Sequence, residues 1–582
     1  MLNTRLYRTC WIVALIALVI APLTLRSPAS LPEPDVPTQF DGTSALLGAQ
    51  TLAKAAPERL PGSVGDRAAA DWMRKELAQA TRGSAGVAKT GVKSQRFVVR
   101  TGFETRELEN VYVVERGSGN EQTRVRDRAV ILVVAPRDTP PGATGGTSGD
   151  ALLVELAKRA TTTTHSRPIY FLSTSGSTLG NAGIRWFLKR FSDTPIAAAI
   201  VLDAPGEAPG TGLHLWMGGS DSQAAIAFRE IVADSASRSA RVATTGIFWS
   251  QLARYAVPQS VGEQGPIIAA GIPAVTLSAR SESQLPARTV EPKQDRMALV
   301  GTVAQAAITS IDQSTGVPRP TAGILMTGKL MRPQVVRLAL LMLLMPIVVM
   351  AVDVAARLRR EGIFLGRGMR ALRWRLVAPV VALATGPFLA MAGLVPEGAG
   401  GKAPLPGLLS VGIPQAAGIV IAAATGPLIW RLTRIQVAKA EALPPTDAAS
   451  ALIVLAGLLV FVWWLVPYGL ILALPAAHVA LVASMARERW QLVALGLCAF
   501  LPFFLVASVI GDMINRGIVY SSWYLIATTL AGNRGWLGPL LGVLVGVCVW
   551  TVAAPAFHGR RAALRRVTPR VAQESDAVSG AD

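Results

Sequence analysis

Residues 128–160 read RAVILVVAPRDTPPGATGGTSGDALLVELAKRA, and their pattern decides the fold. RAVILVVA (128–135) is a short, nearly continuous apolar run, as expected of a strand buried on both faces. A glycine-rich loop follows, and GDALLVELAKRA (149–160) then spaces its apolar residues as a helix does. The same alternation extends to both sides. RPIYFLST (167–174), AAAIVLD (197–203) and IPAVTLS (272–278) are further buried-strand runs, and SQRFVV (94–99) and ENVYVVE (109–115) also read as strands. DRAAADWMRKELAQA (66–80) and, more briefly, GIRWFLKRF (183–191) carry helical periodicity. Strands alternating with helices predict an α/β domain over 45–316, with a mostly parallel central sheet flanked by helices.

Outside this block the chain changes solvent. Residues 1–26 read as a cytoplasmic tip and a signal-anchor helix, with Arg5 and Arg8 before an apolar stretch from Cys10 to Leu25. A cleaved signal peptide is the alternative, disfavoured by the length of the run and the poor small-residue cleavage pattern. Residues 27–44, with SPASLPEPDVP at 27–37, read as a linker lifting the α/β domain off the membrane. After a second linker at 317–335, residues 336–557 predict an all-α bundle of seven spans. Its apolar segments run 336–355, 377–396, 408–429, 449–467, 468–486, 491–510 and 536–557, each near the ~20 residues that cross a bilayer. GIVYSSWYLIATTL (517–530) reads as an interfacial helix, and 558–582 as a basic, then disordered, tail.

The formal charge of +20 follows this layout. Arginines crowd the short segments beside apolar runs, as in ARLRREGIFLGRGMRALRWR (356–375) and HGRRAALRRVTPR (558–570), which the positive-inside rule places in the cytoplasm. Both termini are then cytoplasmic and 45–316 is extracytoplasmic, in a multi-pass plasma membrane protein. Membrane orientation accounts for much of the charge, and no basic-aromatic motif points to nucleic acid. Cys10, Cys498 and Cys548 all lie in apolar segments, so the α/β domain has no thiolate chemistry and no disulfide.

Four strings, ERLPGSVGDRAAADWMRKEL (58–77), ELENVYVV (107–114), GATGGTSG (142–149) and GIPAVTLS (271–278), occur in an order similar to that of the co-catalytic zinc exopeptidases. This is the family of aminopeptidase S, glutamate carboxypeptidase and the transferrin receptor ectodomain, and the resemblance covers 45–312. It implies a site with two zinc ions held by His and carboxylate ligands, a bridging Asp and a general-base Glu. Carried over by position, the ligand His of the family's His-x-Asp falls on Pro136 in APRD, leaving the supporting Asp138. The bridging Asp falls on Gly145. The paired glutamates fall on Ser177 and Thr178 in STLGNAGI (177–184), and the final His on Gln284. One ligand survives, Asp203 in VLDAPG. The remaining histidines of the domain, His165 in a Thr-rich loop and His214 in a strand-like stretch, read as a solvated residue and a half-buried structural one.

The resemblance with its ligands missing implies a membrane-anchored pseudo-peptidase, a scaffold or a substrate- or partner-binding subunit at the outer face of the membrane. Its expected partners are the lipid bilayer, a membrane or envelope protein, and a peptide or glycolipid. The order of anchor, exopeptidase-like domain and multi-span bundle also resembles the peptidase-like subunit of the glycosylphosphatidylinositol transamidase. No cofactor is expected. Zinc enters only under the first alternative, an active metallo-aminopeptidase with unusual ligands. A second alternative is a transporter with an accessory outer domain, motivated by proline-kinked spans and by His478 near mid-span. Asp353, near a span end, is expected to reach Arg357 one helical turn on.

Overall fold

The computed structural model describes residues 3–27, 31–32, 40–82, 91–101, 104–116, 129–140, 142–143, 145–207, 213–218, 262–280, 291–326, 329–392, 413–439, 444–483, 489–513 and 540–553, with short pieces at 232, 242–243, 251–252, 255–256, 260, 394, 520–522 and 524.

The six expected strands join two further short ones in one eight-stranded sheet. β1 (Lys93–Thr101) and β2 (Glu104–Glu115) make an antiparallel hairpin at one edge. β3 (Val130–Pro136), β4 (Ile169–Thr174), β5 (Ile196–Asp203) and β8 (Ala274–Ser278) form the parallel centre. β6 (Leu213–Trp216) runs antiparallel to β8, and β7 (Val242–Ala243) closes the far edge, giving the order β1-β2-β4-β3-β5-β8-β6-β7. β3 is buried along nearly its whole length, as its unbroken apolar run requires.

Helices α2 (Gly42–Ala55), α3 (Val64–Ala80), α4 (Ser148–Ala160) and α7 (Gln294–Gln313) form one layer, and α5 (Ala182–Arg190) packs with α6 (Gln264–Ala269). Capping is local chemistry. The Asp41 side chain accepts from the Thr43 and Ser44 amides, and Ser63 Oγ accepts from the Asp66 amide while Asp66 accepts from the Gly62 amide. Gly149 is required by close approach, since a Cβ there would collide with the Leu202 carbonyl of β5. The segment read as a free linker is partly core: Leu31 and Phe40 are buried with the α/β residues, and Ser310 donates to the Pro32 carbonyl. Phe40 found its place on α7, where its ring lies over Gly301.

The α1 helix (Thr4–Ile20) buries Tyr7, Cys10 and Ala14, one face of a helical repeat, against α8 (Pro333–Arg360). The backbone of Arg26 pairs with Leu330 in β10 (Lys329–Met331), which itself pairs with β9 (Ile324–Met326). Each of the seven apolar runs contains a helix: α8, α9 (Gly366–Met391), α10 (Ile413–Lys439), α11 (Pro444–Leu465), α12 (Leu470–Ala483), α13 (Arg489–Met513) and Leu540–Ala553. Among the described residues, Thr4–Thr24, Pro333–Arg360 and Thr446–Leu465 are long and apolar enough to cross a membrane. The basic stretch after the first apolar run is largely helical, with Arg357, Arg359 and Arg360 in the last turn of α8. Most of 517–530 and all of 558–582 lie outside the described residues.

Candidate functional site

The C-terminal ends of β3, β4 and β5 converge on the position that the zinc-exopeptidase resemblance singles out. At the end of β4, three consecutive hydroxyls serve three different buried carboxyls. Ser173 donates to Asp150 at 2.8 Å, Thr174 to Glu263 at 2.7 Å and Ser175 to Asp66 at 2.6 Å. Successive strand residues face opposite sides of the sheet, so one short run reaches Asp150 on α4 and Glu263 before α6.

Two buried arginines lock the loops around this point. Arg59 donates to the carbonyls of Arg137 and Ala56, each at 2.8 Å, and to that of Gly145. Arg137 donates to Asp66 at 2.9 Å and to the carbonyls of Ser173 and Glu109. Burial pulls the Arg59 guanidinium below its ordinary range, opposed by the nearby Asp150, Glu207, Asp138 and Asp66.

Pro136 ends β3. Asp138 is turned toward the loop that carries Ser177 and Thr178, accepting both backbone N–H groups at 2.8 and 3.0 Å and the Thr178 hydroxyl at 2.8 Å. Its carboxyl is nevertheless pushed up, because burial outweighs those bonds. Ser177 and Thr178 thus meet Asp138 but bring no base with them.

Asp203, at the end of β5, accepts from Arg280 at 2.7 Å, and the Arg280 guanidinium lies 5.1 Å from the centre of the Trp216 ring. The next residue, Ala204, has a φ of 48°, a left-handed turn that folds the chain back toward the glycine loop. There the Gly206 amide donates to Ser148 at 3.1 Å, and the Gly146 amide donates to Glu207. A Cβ on Gly145 would lie 2.9 Å from Glu207 Oε2, so the Glu207 carboxylate occupies the space that a side chain at 145 would enter.

The structure therefore brings together Pro136, Asp138, Gly145, Ser177, Thr178 and Asp203. Gln284 lies outside the described residues. Four residues were invisible to motif reading: Asp150, Glu207, Glu263 and Arg280. Burial raises Asp150 and Glu207 to about 7 and Glu263 to about 8. Among the described residues, Asp150 Oδ2 and Glu263 Oε2 have no hydrogen-bond partner, which suits neutral carboxyls.

These residues do not fit a pair of zinc ions. A guanidinium holds Asp203, the Glu207 carboxylate occupies the space beside Gly145, and among the described residues no three His, Cys, Asp or Glu side chains converge as a metal would need. Of the two histidines, His214 is half-buried on β6 as expected. His165 is buried rather than solvated, its Nδ1 lying 2.8 Å from the Arg167 carbonyl.

In the helical half, Asp353 does hold Arg357, at 2.6 Å. His478 sits where three helices meet: Nε2 lies 2.9 Å from the Leu343 carbonyl on α8, Nδ1 lies 3.0 Å from the Tyr7 hydroxyl on α1, and the Trp11 ring is 4.8 Å away.

No family model and no curated protein matches this chain. Among solved structures it is similar to a glutaminyl cyclase from an Acidobacteriales bacterium, at 17% identity and TM-score 0.38, covering 49% of this chain and 99% of that one. It is similar also to an aminopeptidase from Aneurinibacillus sp. strain AM-1, at 11% identity and TM-score 0.36, covering 48% and 95%. A third is BSAP, a zinc aminopeptidase from Bacillus subtilis, at 12% identity and TM-score 0.37, covering 48% and 95%.

Proposed function

We propose that this protein is a membrane-anchored pseudo-peptidase. In this reading α1 is a retained anchor, and the apolar runs after residue 335 make a multi-span bundle with both termini in the cytoplasm. The α/β domain stands at the outer face, where it scaffolds a membrane or envelope protein or presents a peptide or glycolipid. The observation that carries the proposal is the ion pair of Arg280 with Asp203, accompanied by Glu207 beside Gly145. Positive and negative charges of the chain itself fill a cleft that would otherwise need metal, so the cleft is suited to holding rather than hydrolysing.

The full chain, purified in mild detergent and equilibrated with zinc, should carry almost no bound metal, and chelator should leave its melting unchanged. Cross-linking in membranes should recover a stoichiometric partner. About two zinc ions per chain, with aminoacyl-substrate turnover abolished by chelator, would overturn the proposal in favour of an active aminopeptidase.

A further inference from the structure

The α8 helix ends in a defined way. The Ile363 amide donates to the Leu358 carbonyl at 2.9 Å and the Gly362 amide to the Arg359 carbonyl at 3.3 Å, with Gly362 at a φ of 70°. This glycine-terminated cap fixes the direction of the next residues. It presents Phe364, 89% exposed, together with Ile363 at 39% and, on α9, Met369 at 44%.

Arginines surround this apolar tip. Arg357 is held by Asp353, and Arg375 by Asp447 at 2.5 Å on α11. Arg359, Arg360, Arg367, Arg370 and Arg373 are exposed, and Glu361 is the single acidic residue in the sequence from 357 to 375. The turn follows directly on Pro333–Arg360, one of the helices apolar and long enough to cross a bilayer.

We infer that the turn joining α8 to α9 is a docking surface for anionic phospholipid headgroups. Phe364 and Ile363 enter the boundary between headgroups and acyl chains, and the five exposed guanidiniums take the phosphates. A lipid surface matches both halves of the feature, since it offers an apolar layer immediately beneath an anionic one. Single-stranded nucleic acid would match the charge and would stack on Phe364, but it has no comparable use for Ile363 and Met369. The inference rests on the proposed crossing of the bilayer by α8.

The test uses the full chain and a variant with Arg359, Arg360, Arg367, Arg370 and Arg373 all changed to Gln. Each is first floated with phosphatidylcholine vesicles, then reconstituted in equimolar phosphatidylglycerol and phosphatidylcholine, extracted in mild detergent, and its retained lipids counted by mass. The wild type should retain the anionic lipid at least about five-fold over the zwitterionic one. The glutamine variant should fall to near parity, and Phe364→Ser should lie between. Equal retention of both lipids by floated wild type, unchanged selectivity in the glutamine variant, or nuclease-sensitive nucleic acid held in place of lipid would each overturn the inference while leaving the membrane reading standing. Failure of the wild type to float would overturn both.

Discussion

Arg280 donates to Asp203 at 2.7 Å, with the two side chains each 18% exposed and the guanidinium over the face of Trp216. The pair joins the end of β5 to the residues just after its parallel neighbour β8, at the carboxyl edge of the sheet, the edge where a parallel sheet places its ligands. Removing one partner of such a pair costs more than the pair contributes, because the other charge stays behind without its counterion. Arg280→Ala should therefore lower unfolding stability by about 1–3 kcal/mol. Arg280→Lys should lose part of that, since an ammonium keeps the charge but not the planar stack on Trp216. Denaturant or thermal unfolding of the full chain in detergent would check the order. If Arg280→Ala has wild-type stability, the pair contributes nothing to the fold.

Gly145 tests whether the Glu207 carboxylate fills the space beside the glycine loop. Its Cβ position lies 2.9 Å from Glu207 Oε2, so Gly145→Asp places one carboxylate against another in a buried space. Overpacking alone should cost about 1–3 kcal/mol, with like-charge repulsion adding to it. Combining it with Glu207→Ala should recover most of the loss, a coupling that a double-mutant cycle in thermal unfolding measures directly. Simple additivity of the two substitutions would mean that Glu207 does not occupy that space.

How far the sequence carries the reader depends on what leaves a local pattern. The β3 and β5 runs announce themselves because a strand buried on both faces must be apolar along its buried length, and Val130–Pro136 and residues 196–202 obey that rule. Asp203, Asp138, Ser177 and Thr178 were legible because loops keep their place relative to those strands. Glu207 and Arg280 were not, since each acts on a residue far away in sequence, and no periodicity records that partnership. Leu31 and Phe40 were misread for a related reason: a proline-rich context suggests a tether, while burial in the α/β core is a tertiary fact. His165 looked solvated among threonines, yet its ring nitrogen meets a nearby carbonyl inside the domain.

The buried carboxyls make stability depend on pH. Glu263 moves from an ordinary 4.5 to about 8, and Asp150 from 3.8 to about 7, both through burial. Raised values mean that the folded state binds more protons than the unfolded chain between those limits. Stability from these groups is therefore complete below the unfolded values and is lost as pH climbs through the folded ones. The α/β domain should melt at progressively lower temperature as pH rises from about 4 to about 8, and the fall should level off above that. Glu263→Gln, neutral at every pH, should flatten the upper part of that slope, and Asp150→Asn the lower part. A slope unchanged in both variants would place the titration elsewhere.

Tyr7 and His478 decide how α1 is held. A carbonyl can only accept, so the contact with Leu343 puts the ring hydrogen on Nε2 and leaves the Nδ1 lone pair to accept from the Tyr7 hydroxyl. Both ring nitrogens are then engaged in one neutral tautomer, with the Trp11 ring alongside. This arrangement gives His478 a holding role, and it weakens the reason for seeing a transport residue in it. Interhelical hydrogen bonds among apolar helices contribute modestly, so Tyr7→Phe should cost about 0.6 kcal/mol, and no more than about 2, in unfolding of the detergent-solubilised chain. His478→Ala should cost more, because it also removes the Leu343 and Trp11 contacts. In the double variant the Tyr7 effect should vanish, since its partner is already gone. Full additivity would show that the hydroxyl does not act through His478, and solute uptake or efflux abolished by His478→Ala alone would return the residue to a transport role.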